Sequence, residues 1–347
     1  MNTHEQRYTR FSLVGEMMET VDVVREFPTG RVGDLPAPSA AREPFLTGEG
    51  SSRIFPAAHA VNSALSHGDA LVPRTESAHE ATGFDLSGRR VYVASNSGKT
   101  AECVHLIRTL RERRHDGGIV GMAGSADSPV AVESDDAYIL TCGPEAAVAA
   151  TKSVVEQALV YDVLFRGAAG RPLPDLSRLS SDIAATLAGS VPEEITSKIV
   201  AAPTVYFAGT TNGVAAELAL KANEIVRARS GYLPGTYAVH GIEEVMNPRD
   251  VLIWIDPPAA YEQKFADVLE GGVGLSIIAV STRETRFPTM QVPLAADPQT
   301  DAYIQLAAGW NMLVEAGLAL DINLDRPERA RKVGNEFTDA AGSGDAG

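Results

Sequence analysis

Short apolar runs alternate with amphipathic, helix-like stretches along the chain, and the same order occurs twice. In the first half, the runs that predict strands are Phe45–Thr47, Val91–Ala94, Ile119–Ala123 and Ala137–Thr141. In the second half, they are Thr204–Ala208, Val251–Ile255, Leu275–Val280 and Met290–Leu294. Short buried strands that alternate with helices are typical of a parallel sheet covered by helices on both faces. The pattern therefore predicts an α/β chain with two such sheets.

Equal spacing in the two halves indicates a duplication. In each half the first strand runs into a glycine turn, which opens at Gly48 or Gly209 and leads into a helix. The interval from Gly48 to Ser95, which follows the next strand, is 47 residues, and the interval from Gly209 to Asp256 is the same. The helices that follow the two turns are predicted at Ile54–Leu65 and Val214–Ile225.

The segments between these patterns divide the chain. Residues 166–178 contain glycine and proline without helical periodicity, which is typical of a linker. An N-terminal helix is predicted around Glu16–Glu26, and the Gly- and Ala-rich end of the chain is expected to fray. The predicted organisation is an N-terminal helical segment 1–40, a first domain 41–165, a linker 166–178, a second domain 179–338 and a tail 339–347.

Composition and charge narrow the possible functions. The chain has 347 residues, 44% of them hydrophobic and 6% aromatic, and its net charge at pH 7 is −15. Such a field repels nucleic acid and anionic membrane surfaces, so neither is expected as a partner. No signal peptide or membrane-spanning run is evident, and the expected location is the cytoplasm. Cys103 and Cys142 show no metal-ligand spacing, and no nicotinamide fingerprint follows the first glycine turn, so neither metal nor cofactor is expected.

A hydroxyl-rich loop is the strongest candidate for a binding site. It follows a predicted strand directly and opens a predicted helix, Ala101–Arg113. Free backbone amides at a helix N-terminus and hydroxyl donors around one glycine favour an anion such as phosphate. The loop residues are Ser95, Asn96, Ser97, Gly98, Lys99 and Thr100.

Three charged residues lie along one stripe of the helix that follows the second glycine turn. Glu217, Lys221 and Glu224 are spaced i, i+4 and i+7. Such a stripe is typical of an exposed, salt-bridged helix face. The apolar neighbours Leu218 and Ile225 favour a second interpretation, in which a carboxylate lodged among them acts as a proton acceptor.

At these residues the chain resembles the sugar isomerase (SIS) domain family, which includes the isomerase half of glucosamine-6-phosphate synthase. The loop from Ser95 to Glu102 reads Ser-x-Ser-Gly-x-Thr-x-Glu, and Gly143–Lys152 resembles the family's Gly-Pro-Glu segment with alanine at position 150 in place of serine. Glu217–Glu224 and His240-Gly241 resemble two further motifs. The resemblance covers roughly residues 40 to 338 and implies two tandem SIS domains, each a five-stranded parallel sheet with helices on both faces.

The resemblance also implies roles for individual residues. Glu224 corresponds to the enolisation base, and Lys221 anchors substrate or holds Glu224 ionised. His240 assists ring opening and is lent to the neighbouring subunit of a homodimer or larger oligomer. Asn335 stands where related synthases carry a Schiff-base lysine, so amination is not expected. The implied substrate-binding residues are Gly50, Ser51, Ser52, Arg53, Ser95, Asn96, Ser97, Gly98, Lys99, Thr100, Val148 and Ala150.

The leading hypothesis is an aldose–ketose isomerase that acts on a six-carbon sugar with an anionic group at C6, through an enediol. Lys99 and Arg53 are unusual for the family, and if both face the site the anion could be a 6-sulfonate rather than a 6-phosphate. Two alternatives remain, a fructosamine-phosphate deglycase or deaminase, and a sugar-phosphate sensor without turnover. If Glu224 is not the base, Glu217, Glu243 and Glu244 are the next candidates.

Overall fold

The chain folds into two five-stranded parallel sheets of the same topology. The computed structural model describes residues 1–2, 4–38, 42–330 and 336. The first sheet contains β1 (Phe45–Gly48), β2 (Arg74–Thr75), β3 (Val91–Ala94), β4 (Ile119–Ala123) and β5 (Asp136–Ile139) in the order β2-β1-β3-β4-β5. The second contains β6 (Thr204–Gly209), β7 (Arg229–Pro234), β8 (Val251–Ile255), β9 (Ser276–Ser281) and β10 (Thr289–Gln291) in the order β10-β9-β8-β6-β7. Read from β7 to β10, the second sheet has the same strand order as the first. The predicted tandem α/β architecture is therefore confirmed.

The two edge strands differ from the sequence prediction. The eight predicted strands are present with shifts of a few residues at their ends, but the apolar pattern did not reveal β2 and β7. The sequence predicts an irregular stretch over residues 231–239, and this prediction is wrong for residues 231–234, which pair in parallel with β6. An edge strand has one neighbour only and tolerates Gly, Pro and charged side chains, which explains why its pattern is not apolar.

Helices surround both sheets. Those of the first half are α1 (Gln6–Thr9), α2 (Ser12–Arg25), α3 (Thr29–Gly33), α4 (Ser51–His67), α5 (Ala78–Ala81), α6 (Ala101–Glu112), α7 (Pro129–Glu133) and α8 (Lys152–Ala168). Those of the second half are α9 (Leu176–Ala188), α10 (Glu193–Ala201), α11 (Val214–Lys221), α12 (Ala259–Phe265) and α13 (Asp301–Ala319). Two π-helical turns, at Ala222–Val226 and Ala266–Val273, continue α11 and α12, and 3₁₀ turns lie at Tyr237–Val239, Ile242–Val245 and Pro298–Thr300.

Two features of the helices bear on the predictions. Helix α8 continues to Ala168, into the stretch predicted as the linker, and the next helix begins at Leu176. Among the helices that the structure describes, none is long and apolar enough to cross a membrane.

One apolar core fills the space between the two sheets. Alternate residues of each central strand face opposite sides, so Tyr92 of β3 points into this core against Tyr161 of α8, while Val91 belongs to an outer cluster under α6. Trp254 of β8 likewise faces outward and stacks on Phe265 of α12. Helices α4, α8, α11 and α13 contact one another in the middle layer and contribute to the shared core.

A buried carboxylate links three helices of this middle layer. Asp162 of α8 accepts a hydrogen bond from Tyr303 Oη of α13 at 2.7 Å and lies 3.3 Å from His59 Nε2 of α4. Arg166, one turn further along α8, approaches the same carboxylate at 3.4 Å. Burial alone would raise the pKa of Asp162, but His59 and Arg166 outweigh it and lower that pKa. The two halves therefore share a polar network as well as an apolar core.

Two helical glycines provide a matched test of this packing. A Cβ on Gly309 of α13 would lie 2.3 Å from Leu218 Cδ1 of α11, whereas Gly15 of α2 has no heavy atom within 4 Å of the corresponding position. Gly15→Ala is expected to raise the free energy of unfolding by about 0.5–1 kcal/mol through helix propensity. Gly309→Ala gains the same propensity but overpacks the α11–α13 contact, so a net loss of about 1 kcal/mol is expected. Urea denaturation of both variants measures these changes, and equal stabilisation by both would contradict the close helix contact.

Candidate functional site

A cleft of about 590 Å³ lies at the carboxyl edge of the first sheet, where the loops after β1 and β3 meet helix α11 of the second half. Ligands commonly bind at this edge of parallel sheets. Nine of the predicted site residues line the cleft, namely Gly50, Ser51, Ser52, Asn96, Ser97, Thr100, Val148, Ala150 and Glu224. The geometry thus brings together the first glycine turn, the hydroxyl-rich loop and the charged stripe.

The hydroxyl-rich loop is held in shape by its own polar groups. Ser95 Oγ lies 2.7 Å from Thr100 Oγ1 and accepts a hydrogen bond from the Gly98 amide at 3.1 Å. Gly98 has a φ of +66°, and a Cβ there would lie 2.2 Å from Ser128 Oγ, so glycine is needed at this position. Ser95 is buried and shapes the turn, while Ser97 and Thr100 face the cleft at the start of α6.

A buried glutamate connects this loop to the segment that carries Val148 and Ala150. The Glu145 carboxylate accepts hydrogen bonds from Asn96 Nδ2 at 2.9 Å, the Thr151 amide at 2.7 Å and Ser153 Oγ at 2.6 Å. A carboxylate with several donors fixes its neighbours more firmly than a neutral acceptor does. Two walls of the cleft therefore share one anchor.

Lys221 lies at the centre of the charged stripe. Its Nζ is 2.8 Å from Glu224 Oε2 and 3.2 Å from Glu217 Oε1, and it donates to Ser51 Oγ at 2.8 Å. The side chains of Glu217 and Lys221 are 0% exposed, and that of Glu224 is 18% exposed and lines the cleft. The stripe therefore does not form an exposed, salt-bridged helix face.

Burial and the neighbouring charges shift the pKa values of Lys221 and Glu217. Burial alone would lower the pKa of Lys221, but the carboxylates of Glu224 and Glu217 outweigh it and raise that pKa. Burial raises the pKa of Glu217, and Lys221 offsets only part of the rise. The π-helical turn Ala222–Val226 begins directly after Lys221 and carries Glu224. Such turns frequently occur at functional sites, and here the turn presents one carboxylate to the cleft beside a permanent cation.

Several predicted residues lie outside this cleft. Lys99 is exposed and Arg53 is half-buried, and neither lines it, so the condition that would have favoured a sulfonate is not met. His240 is exposed at the end of a 3₁₀ turn and does not line the cleft of its own chain. Asn335 and the tail 339–347 lie outside the described residues.

The cleft also contains residues that the sequence did not reveal. Arg329 supplies the one Lys or Arg side chain among the described residues that line it. Glu336 lines it as well and forms an isolated antiparallel bridge with Thr100. These residues follow α13 in a segment without helical or strand periodicity, and the one signal toward them was the family position of Asn335, next to Glu336. Within the described part of the chain, no three His, Cys, Asp or Glu side chains are grouped as metal ligands.

Comparison with known proteins identifies a SIS domain at residues 88–166, which include the hydroxyl-rich loop. The resemblance noted from the motifs is therefore confirmed. The glutamine–fructose-6-phosphate aminotransferase (isomerizing) of Aeropyrum pernix is 27% identical over 192 residues, or 51% of this chain. The matched region is 31% of that relative, so this chain spans about a third of its length.

Solved structures share the fold over nearly the whole chain. A glucosamine-6-phosphate deaminase from Thermotoga maritima has a TM-score of 0.71 at 20% identity, covering 92% of this chain and 98% of that chain. Tagatose-6-phosphate ketose/aldose isomerase from Escherichia coli has a TM-score of 0.73 at 14% identity, covering 94% and 99%. The two five-stranded parallel sheets flanked by helices are therefore consistent with two tandem SIS domains.

The raised pKa of Glu217 predicts a pH-dependent cost of folding. The unfolded carboxyl ionises near pH 4.3 and the folded one at higher pH, so wild-type stability falls as pH rises between these values. Glu217→Gln cannot ionise and keeps an amide oxygen for Lys221, so its stability relative to wild type is expected to increase as pH rises from 4 to 8, by about 1 kcal/mol or more. Denaturation of both proteins from pH 4 to 8 measures the difference, with exposed Glu284→Gln as the control. A difference that does not grow with pH would contradict this assignment.

Proposed function

We propose that this protein is an aldose–ketose isomerase that acts on a six-carbon sugar 6-phosphate through an enediol. The observation that carries the proposal is that Glu224 and the hydroxyl-rich loop open into one cleft, with Lys221 held behind Glu224 at 2.8 Å. An anion-binding end and a proton-accepting end in the same cleft suit a substrate that carries its charge far from the reacting carbons.

The phosphate binds at the start of α6. Ser97 and Thr100 offer hydroxyl donors there, and the helix N-terminus adds free amides and a favourable dipole. Arg329 supplies the positive charge at the cleft wall. Contacts to this remote group orient the sugar and provide binding energy for the reaction at C1 and C2.

Glu224 moves the proton. Its carboxylate takes the hydrogen on C2 of the aldose as a proton while the C1 carbonyl oxygen takes a proton from water, which gives the enediol. Glu224 then returns its proton to C1 as the C2 hydroxyl gives its proton back to water and becomes the carbonyl. Lys221 is fully buried, so its role is to hold the Glu224 carboxylate in place rather than to contact the sugar. Positioned general bases of this kind contribute about 10²–10⁴ in rate.

Ring opening uses His240 of a second copy of the chain. In its own chain His240 is exposed and outside the cleft. The 3₁₀ turns before and after His240 contact each other and leave 46% of Tyr237 and 72% of Val245 exposed, so a partner has apolar area to cover here. A homodimer that buries this surface against the partner's cleft would complete the site, and an imidazole suits proton shuttling to the ring oxygen.

Glu224→Gln tests the assignment of the base. The substitution keeps the shape and removes the proton acceptor, so turnover is expected to fall by about 10²–10⁴ while sugar-phosphate binding persists. NMR in deuterated water measures solvent exchange at C1 and C2 of glucose 6-phosphate and fructose 6-phosphate, with 6-sulfonate analogues and fructosamine 6-phosphate in parallel. Glu270→Gln, on the exposed surface outside the cleft, is the matched control.

Three results would overturn the proposal in different ways. Binding without exchange in the wild type identifies a sensor. Amine release from fructosamine 6-phosphate, without isomerisation of the other sugars, identifies a deglycase. Exchange that survives Glu224→Gln moves the base to another carboxylate.

Subunit mixing tests the shared site. Glu224→Gln and His240→Asn homodimers are each expected to be nearly inactive. In an equal mixture, half of the dimers are mixed, and each mixed dimer has one site with both Glu224 and His240 intact. About a quarter of wild-type activity is therefore expected after exchange of subunits. Activity no higher than the mean of the two parents would contradict a His240 that acts across the interface.

A further inference from the structure

The second half carries a cleft of its own at the corresponding edge of its sheet. Its volume is about 270 Å³. Sites for drug-sized ligands measure about 300–1,000 Å³, so this cleft suits one molecule of the size of a sugar. Asp256 lies in it at the position that Ser95 holds in the first half, and Thr210 and Asn212 come from the second glycine turn. Helix α4 supplies His59 and Asn62 from the other side.

Among the described residues, the second cleft lacks the basic side chain of the first, in which Arg329 lies among three glutamates. Its described lining contains three carboxylates, Asp256, Asp297 and Asp301, and no lysine or arginine. Burial raises the pKa of Asp301, and the negative charges of Asp256 and Asp297 add to the rise. A phosphate would meet these same charges, whereas a cation placed among them would relieve their repulsion.

A buried amide at the cleft points to a ligand independently of the charges. Gln305 of α13 is only 3% exposed and lines the second cleft. Its Oε1 has no hydrogen-bond partner among the described residues. A buried acceptor without a partner is costly in a folded protein and calls for a reason. A hydroxyl or ammonium group bound in the cleft would supply the missing donor.

Two other polar side chains of the cleft, Asp297 and His59, already have partners in the fold. Asp297 accepts from Arg166 Nη1 at 2.7 Å and from the Gln299 backbone amide at 3.0 Å, and His59 lies against Asp162. Asp301 Oδ1 accepts one long bond, 3.3 Å, from the Ala295 amide. The groups best placed to hold a ligand are therefore Asp256 at the exposed mouth, Asp301 half-buried inside, and buried Gln305.

We propose that this second cleft binds a small, hydroxyl-rich amine of the size of an unphosphorylated hexosamine. The ammonium group lies between the carboxylates of Asp256 and Asp301, and a hydroxyl donates to Gln305 Oε1. The proposal rests on neither Glu224 nor the hydroxyl-rich loop, so it stands or falls independently of the isomerase activity.

Calorimetric titration with D-glucosamine, and with D-glucose as the neutral analogue, tests the proposal. Glucosamine is expected to bind wild type at least about tenfold more tightly than glucose, because the charge-assisted hydrogen bonds need the ammonium. Asp256→Asn and Asp301→Asn are each expected to weaken glucosamine binding about tenfold or more. Both substitutions are compatible with the fold. Asparagine tolerates the positive φ of 48° at position 256, and at position 301 it retains the Oδ1 acceptor for the Ala295 amide.

Gln305→Leu separates a ligand-binding role from a structural one. Leucine removes the unpartnered amide at similar volume, so the melting temperature is expected to stay level or rise while glucosamine binding weakens. Glu224→Gln is the matched control in the first cleft and is expected to leave glucosamine binding within about twofold. Equal binding of glucose and glucosamine overturns the proposal, as does glucosamine binding that is unchanged in Asp256→Asn and Asp301→Asn or lost in Glu224→Gln.

Discussion

A single buried cation, Lys221, organises the structure around it. A fully buried ammonium is tolerated only when carboxylates and hydroxyls surround it closely, and here Glu217, Glu224 and Ser51 do so. Ser51 belongs to the first half of the chain, whereas Lys221 and the two glutamates belong to the second. Compensation of the Lys221 charge therefore requires the two halves to meet in a fixed register. The cleft forms where they meet, and the requirement explains why α4 and α11 must pack directly against one another.

Duplication supplies the framework, and the residues on it have diverged. The strand order and the 47-residue interval are the same in both halves, yet Ser95 in one corresponds to Asp256 in the other. In the first half the position is buried and fixes a turn that presents hydroxyls. In the second it carries a carboxylate at the mouth of an acidic cleft. The sheet edge sets where each cleft lies, while the side chains of the loops decide the charge that it accepts.

Sequence reasoning recovered those parts of the structure that have a local cause. Buried strands such as Val251–Ile255 are apolar throughout because both faces are covered. The edge strand Arg229–Pro234 was not predicted because an edge strand need not be apolar throughout. Helical spacing together with the family motif predicted Glu224 and Lys221 as site residues, whereas spacing alone left an exposed face equally open. Arg329 and the lining of the second cleft were out of reach, since they depend on segments that only the tertiary fold brings together.

The middle layer has a consequence for how the chain behaves as a folding unit. Helices α4 and α8 of the first half and α11 and α13 of the second bury the same apolar surface, and Asp162 joins three of them. Without the other half, the inner helices of each sheet would expose the apolar surface that they bury against one another. The two halves are therefore one cooperative unit in thermodynamic terms, and a break in the connection between α8 and α9 would leave a nicked but associated protein rather than two independent domains.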